Sequence, residues 1–226
     1  TLNSNELRPF RRQMQMIFQD PFASLNPRMT VGETIAEPMV VHRIVEKTDA
    51  LDKSIEILKK VGLTADYASR YPHELSGGQR QRIGIARALA HEPNLIIADE
   101  AVSALDVSIQ AQVVNLMMEL QEEFGLSYLF ISHDMAVIER VCHRVAVMYL
   151  GEIVEVGTRR QVFENPKHPY TKKLMKAVPI ADPKLRKKEL NLMTDEIPSL
   201  IKPIGYEPDK IDLIKIEDDH FIKPFN

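Results

Sequence analysis

Residues 74–106, ELSGGQRQRIGIARALAHEPNLIIADEAVSALD, contain the pattern that decides the fold. Ser76 is a favourable helix N-cap, so the sequence predicts a helix over residues 77–91, which Pro93 ends. The short apolar run 95–98 follows and is closed by two acidic residues, which is typical of a buried parallel strand. The segment therefore predicts a helix that leads into a strand of an α/β sheet.

Segments on either side extend this pattern. The apolar run at residues 14–18 ends at a polar pair and a proline, as a strand does when it leads into a loop. Strand and helix patterns then alternate over residues 94–149, with the longest helix at residues 106–124. This alternation predicts an open α/β sheet whose strands are mostly parallel.

The stretch after the first strand, residues 22–75, is predicted to form a mainly helical insert. Pro38 should confine its first helix to residues 31–36, because proline disrupts a helix interior. A second helix is predicted at residues 49–61, where apolar residues recur at nearly helical spacing.

The composition changes after residue 163. One short helix bounded by prolines is predicted in NPKHPYTKKLMKAVP, residues 165–179, and prolines then recur among clustered charges. Such a composition indicates an extended appendage with weak independent folding. We therefore predict an α/β domain over residues 1–160 and an appendage over residues 161–226.

Charge and composition exclude several classes of protein. The 226 residues have a formal net charge of -3 and a pI near 6.2, which gives no electrostatic basis for a nucleic-acid partner. The single cysteine, Cys142, excludes an internal disulfide framework and suits a reducing compartment. No apolar run approaches the roughly 18–20 residues of a membrane helix, and the first residues do not resemble a signal peptide. We expect a cytosolic location, with any membrane link made through a partner.

The start of the helix after the serine cap is suited to bind an anion. Free backbone N–H groups carry partial positive charge there, and glycine lets an oxygen approach the backbone closely. The residues predicted to contribute are Ser76, Gly77, Gly78 and Gln79. Arg80 and Arg82 follow and strengthen this interpretation, whereas an isolated Ser-Gly-Gly would more simply be a capped helix with flexible glycines.

Polar side chains end three of the predicted strands, and the carboxyl ends of parallel strands form the ligand edge of an α/β sheet. Asp99 suits Mg²⁺ at this edge, and the adjacent Glu100 can orient a water for in-line attack on phosphorus. His133 can hydrogen-bond a terminal phosphate, and Gln19 can reach metal, water or phosphate. Each residue alone has a structural alternative, an exposed acid or a structural histidine, but their common position favours a site.

One component of a phosphate-handling site is missing from the sequence. The usual phosphate loop contains Gly-Lys-Ser/Thr, yet none of the nine glycines is followed by a lysine. Because the other predicted catalytic residues are in place, we expect this chain to be a piece of a longer protein.

Five segments resemble, in the same order, motifs of the ABC ATPases. FQDP (18–21) is similar to the Q-loop, LSGGQ (75–79) to the signature, LIIADE (95–100) to the Walker B strand, SALD (103–106) to the D-loop and ISHD (131–134) to the switch-histidine loop. The HPY segment, residues 168–170, resembles the ATP-binding subunits of oligopeptide, dipeptide and nickel importers. The resemblance implies a partial P-loop NTPase core with a helical signature subdomain at about residues 22–92 and an oligopeptide-transporter-type extension over residues 161–226.

The resemblance implies ATP and Mg²⁺ as cofactors, with ATP held between two subunits. Asp99 would help to bind Mg²⁺, Glu100 would polarise the attacking water and His133 would contact the γ-phosphate. Gln19 would link metal and water to a transmembrane partner. The loop that holds the nucleotide phosphates would precede Thr1.

The implied partners are a second ATPase subunit, two transmembrane permease subunits and, indirectly, an external substrate-binding protein. Residues 76–79 would complete the site of the second subunit, and Asp106 would reach across the dimer. The subunit would work at the cytoplasmic face of the cell membrane. Two features depart from this branch: Ala101 replaces a usual proline, and Cys142 alone cannot ligate an iron–sulfur cluster.

Two other functions remain open. An ABC ATPase of DNA repair or translation would share the signature motif, but the HPY segment and the absence of a basic face argue against it. A truncated module that docks without hydrolysing ATP would be consistent with the missing Gly-Lys pair.

Overall fold

The computed structural model describes residues 3–177 and 212–224. The chain divides into two compact units, Thr1–Val141 and Cys142–Asn226. The division at residue 160 rests on composition and stays a prediction, and residues 178–211 of the predicted appendage lie outside the described residues. Within the described ranges, no helix has both the length and the apolar character needed to cross a membrane.

The first unit contains a three-stranded parallel sheet. Helix α1 (Ser4–Gln13) precedes the strands β1 (Met14–Ile17), β2 (Leu95–Asp99) and β3 (Ser127–Ile131), which are arranged in the order β1-β2-β3. Ile17 lies opposite Ala98, and Asp99 lies opposite Ile131. The predicted α/β class with parallel strands is confirmed.

Three helices form the part of this unit between β1 and β2: α2 (Val31–Val41), α3 (Ala50–Lys60) and α4 (Gly77–Leu89). The prediction that Pro38 confines the first helix to residues 31–36 is wrong, because α2 continues for five more residues. Ile35, Pro38 and Met39 are all buried, and this apolar packing offsets the hydrogen bond that the proline cannot donate.

Helices α5 (Val107–Phe124) and α6 (Met135–Val141) follow β2 and β3, as the alternation predicts. The buried core joins the sheet to the helices, with Ile83 of α4, Ile96 of β2 and Val113 of α5 all without exposed surface. This packing fixes the strands from which the candidate site projects.

The second unit contains an antiparallel sheet. Its strands are β4 (Arg144–Tyr149), β5 (Glu152–Thr158), β6 (Ile214–Glu217) and β7 (His220–Ile222), in the order β4-β5-β7-β6, with helices α7 (Arg159–Glu164) and α8 (Pro169–Ala177) after β5. The prediction that residues 144–149 continue the parallel sheet is wrong. Leu150 and Gly151 both have positive φ, 51° and 82°, as in the tight hairpin turns that return a strand antiparallel to its neighbour.

Two glycines of the first unit provide a matched test of backbone conformation. A Cβ added at Gly84 or at Gly125 meets no atom within 4 Å, but only Gly125 has a positive φ, 64°. We expect Gly84→Ala to raise the free energy of unfolding by about 0.5–1 kcal/mol, because it lies inside α4. Gly125→Ala should lower it by about 1 kcal/mol through backbone strain. Denaturant unfolding of both variants measures the two effects. Changes of the same sign would contradict the difference in backbone conformation between Gly84 and Gly125.

Candidate functional site

The ends of the three parallel strands bring Gln19, Glu100 and His133 together. The Gln19 side-chain amide donates a hydrogen bond to Glu100 Oε2 at 2.6 Å. His133 Nδ1 lies 3.3 Å from the other carboxylate oxygen, Glu100 Oε1. The Glu100 carboxylate is thus held between an amide and an imidazole, as expected from the shared strand edge. The His133 side chain is 71% exposed, so its ring is accessible to a ligand.

The backbone of Glu100 has an uncommon conformation. Its φ is 46°, in the left-handed region that non-glycine residues seldom occupy. Its N–H donates to Ile131 O at 2.9 Å, and its carbonyl accepts from Ser103 N and Oγ at 3.0 and 2.9 Å. Strain of this kind persists only where the surroundings enforce it, and it concentrates at functional sites.

Asp99 is the last residue of β2 and is partly buried next to Glu100. Its carboxylate, and the Gln19 amide oxygen left free to accept when the nitrogen bonds Glu100, are hard oxygen ligands that suit Mg²⁺. Among the described residues, no group of three or more His, Cys, Asp or Glu side chains could hold a metal alone.

The N-terminus of α4 is fixed by a capping box. Ser76 Oγ accepts from Gln79 N at 3.3 Å, and Gln79 Oε1 accepts from Ser76 N at 2.9 Å. The Gln79 side-chain amide also donates to Tyr67 Oη at 2.8 Å. Both side chains therefore hold the helix start in place, and an anion would be bound by the first backbone amides, those of Gly77 and Gly78.

The two glycines differ in what surrounds them. A Cβ at Gly78 would lie 2.5 Å from Ile109 Cγ2, whereas one at Gly77 would lie 3.7 Å from Leu105 Cδ2, an ordinary contact. Gly78 is therefore required by the packing of α4 against α5. The sequence prediction assigned its small size to a ligand, and this packing supplies a sufficient reason of its own.

Arg80 and Arg82 face the helical part of the unit. Arg80 Nε donates to Pro72 O at 2.8 Å, and its guanidinium lies 5.0 Å from the centre of the Phe22 ring. An Arg82 nitrogen donates to Val61 O at 2.8 Å, at the end of α3. The inference that these arginines strengthen an anion site is corrected, because both are used in packing and capping.

The structure does not join all the predicted site residues. Within residues 3–177 and 212–224, no hydrogen bond links residues 76–79 to Gln19, Glu100 or His133. Asp106 occupies the N-cap position of α5, but its exposed side chain makes no capping hydrogen bond. Among the described residues, the signature residues and Asp106 are thus not hydrogen-bonded to the Glu100 cluster.

Asp134 is a positioning residue to which the sequence analysis assigned no role. Its Oδ1 accepts from Ala136 N at 2.9 Å and Val137 N at 3.3 Å, and its Oδ2 accepts from the Gln110 amide at 2.9 Å. These bonds fix the loop that carries His133. The available signal was an aspartate directly before an apolar helix, which is a common N-cap.

Comparison with known proteins gives two matching family models. Residues 1–103 match the ABC transporter family, and residues 154–205 match the oligopeptide/dipeptide transporter C-terminal region. Among solved structures, a dimeric post-hydrolysis state of the ATP-binding cassette MJ0796 with ADP and Pi is 31% identical, with a TM-score of 0.62 over 70% of this chain and 68% of that one. CbiO1 of Clostridium perfringens, part of the ABC transporter complex cbiONQ, is 26% identical, with a TM-score of 0.64 over 72% and 64%.

The chain belongs to the ABC ATPase family. Among curated relatives, the glutathione import ATP-binding protein GsiA of Pectobacterium atrosepticum is 59% identical and that of Escherichia coli K12 is 55% identical, each over 98% of this chain. The C-terminal match and these relatives are similarities to the branch of oligopeptide and dipeptide transporters. The chain spans 36% of the length of these relatives.

The contact between Gly78 and Ile109 yields a test of packing at the signature helix. Gly78→Ala should lower the free energy of unfolding by about 1–3 kcal/mol, because the added methyl overlaps Ile109. Gly77→Ala is the matched control and should change stability by less than about 1 kcal/mol. Thermal or denaturant unfolding measures both.

The double variant Gly78→Ala with Ile109→Ala tests the cause directly. It should be more stable than the sum of the two single changes predicts, since the clash is absent. Strict additivity would show that Ile109 is not the obstacle.

Proposed function

We propose that this chain is part of the ATP-hydrolysing subunit of an importer for small peptides. The observation that carries the proposal is the Glu100 carboxylate, held between Gln19 and His133 at the ends of three parallel strands, with Asp99 beside it. This cluster supplies a carboxylate toward water, oxygen ligands for a hard cation and an accessible imidazole for a phosphate.

Each residue of the cluster has a defined task in this proposal. Asp99 and the Gln19 amide oxygen hold Mg²⁺, which neutralises charge on the nucleotide phosphates. Glu100 accepts a hydrogen bond from the attacking water and orients it in line. His133 contacts the terminal phosphate through the side of its ring that faces away from Glu100, while Nδ1 stays beside the carboxylate.

The remaining residues act between subunits. The α4 N-terminus offers backbone amides but no lysine, so residues 76–79 contribute to nucleotide held mainly by a second ATPase subunit. Asp106, exposed and not used for capping, contacts that same neighbour. ATP would close the pair and drive two transmembrane permease subunits at the cytoplasmic face of the membrane, with an external binding protein supplying the solute.

A peptide is the proposed solute class. The match of residues 154–205 to the oligopeptide/dipeptide transporter region supports it, and the GsiA relatives are named for import of glutathione, a tripeptide. The alternative of a docking module without hydrolysis is tested by the first experiment below.

Replacement of Glu100 tests the reaction in the longest natural polypeptide that contains this chain. Glu100→Gln keeps the side-chain shape but removes the carboxylate, so ATP hydrolysis should fall about 100-fold or more. Nucleotide binding should persist. Glu119→Gln, an exposed glutamate of α5, is the matched control and should leave the rate unchanged. A Glu100→Gln protein with the wild-type rate would remove Glu100 from the reaction.

The isolated 226-residue chain should bind Mg-ATP weakly and hydrolyse it negligibly. It contains no Gly-Lys pair, and that loop would supply most backbone amides and the lysine for the β- and γ-phosphates. Titration calorimetry measures the affinity. Micromolar binding with turnover would show that the nucleotide site lies elsewhere.

A further inference from the structure

The second unit contains a carboxylate that the proposed function does not use. Glu155 of β5 has no exposed surface. Its Oε1 accepts from Lys167 N and from His220 Nε2, each at 2.8 Å, and its Oε2 accepts from His168 N at 3.0 Å. One side chain thus binds both the start of the HPY segment and the C-terminal hairpin, which is formed by β6 and β7.

Glu155 is charged in this setting. Burial by itself would raise the pKa of Glu155, but Thr171 and the hydrogen bonds donated by Lys167, His220 and His168 hold that pKa below its ordinary value. A buried carboxylate is stable only while such donors are present, because removal of one leaves the charge partly uncompensated. Both segments are therefore needed to supply hydrogen-bond donors to the Glu155 carboxylate.

Other contacts surround the two segments without replacing this carboxylate. Tyr170 of the HPY segment stacks on Tyr149 of β4, with ring centres 4.1 Å apart. Glu217 of β6 lies 3.9 Å from His220 Nδ1 and 3.6 Å from Lys167 Nζ. The His168 imidazole, whose pKa is lowered by burial, also lies near Glu155, and Lys223 pairs with Glu152.

We propose that Glu155 is a positioning residue that couples the HPY segment to the C-terminal hairpin. Release of either segment removes donors from the shared carboxylate and loosens the other. The position of the HPY segment therefore depends on residues about fifty positions further along the chain. This inference does not depend on ATP hydrolysis or on the transported solute.

The same strand offers a matched control. Glu152 also lies on β5 and also pairs with a residue at the end of the hairpin, Lys223, but its side chain is 48% exposed. Exposed ion pairs contribute little to stability, so loss of Glu152 should leave the two segments in place. Any difference in amide exchange between the Glu155 and Glu152 variants then measures the effect of burial and of the shared hydrogen-bond donors.

Hydrogen exchange measured by mass spectrometry on the full chain tests the coupling. His220→Ala should accelerate exchange of the Lys167 and His168 amides at least about 10-fold. His220 itself forms its hydrogen bond with Glu155 and not with these amides, so the effect would pass through the carboxylate. Glu155→Gln should accelerate exchange in both segments, and Glu152→Gln should change neither by more than about 3-fold. Unchanged exchange at Lys167 and His168 in His220→Ala would overturn the proposal.

A pH series on the wild-type chain gives an answer even where a variant fails to fold. The pKa of Glu155 is lower in the folded chain than in the unfolded chain. Its contribution to the free energy of unfolding is therefore complete above the ordinary glutamate pKa and is lost as pH falls through the folded pKa. After correction for intrinsic exchange, the HPY segment and the hairpin should lose protection together on acidification. Separate midpoints for the two segments would show that they are held independently.

Discussion

The register of three parallel strands is the constraint on which the candidate site depends. Ile17 opposite Ala98 and Asp99 opposite Ile131 bring the three strand ends to one edge, so that residues one or two positions further on can meet. Glu100 bonds to β3 through its own N–H, and this contact enforces its left-handed backbone. A shift of one residue in this register would turn its side chains to the opposite face of the sheet.

Much of the fold and of the candidate site could be predicted from the sequence, wherever local patterns agree with tertiary packing. The apolar run closed by two acids defines β2, and Ser76 defines the start of α4 through its capping box. The meeting of Gln19, Glu100 and His133 follows from their shared position at the ends of parallel strands. The continuation of α2 past Pro38 could not be predicted because buried neighbours outweigh the lost hydrogen bond. Residues 144–149 differ from the prediction because they pair with the following strand in a separate antiparallel sheet.

Other parts of the site could not be predicted because they depend on partners distant in sequence. Gly78 looks like a ligand contact in isolation, yet its nearest neighbour would be Ile109. The arginines after the signature look like anion ligands, yet they bond to carbonyls of the helical part. Outside the site, Glu155 looks like an ordinary polar residue of an alternating strand, yet its buried carboxylate accepts from His220, 65 residues away. In each case the residue type indicates what it can bind, while the fold determines what it does bind.

We propose that Glu100, with Asp99, Gln19 and His133, forms the centre at which ATP is hydrolysed. A crystal structure of the natural full-length protein carrying Glu100→Gln, with Mg-ATP bound, tests this most directly. We expect an intact γ-phosphate beside His133, Mg²⁺ on Asp99 and a water in line between the γ-phosphate and residue 100. A nucleotide bound with its γ-phosphate away from these residues would contradict it.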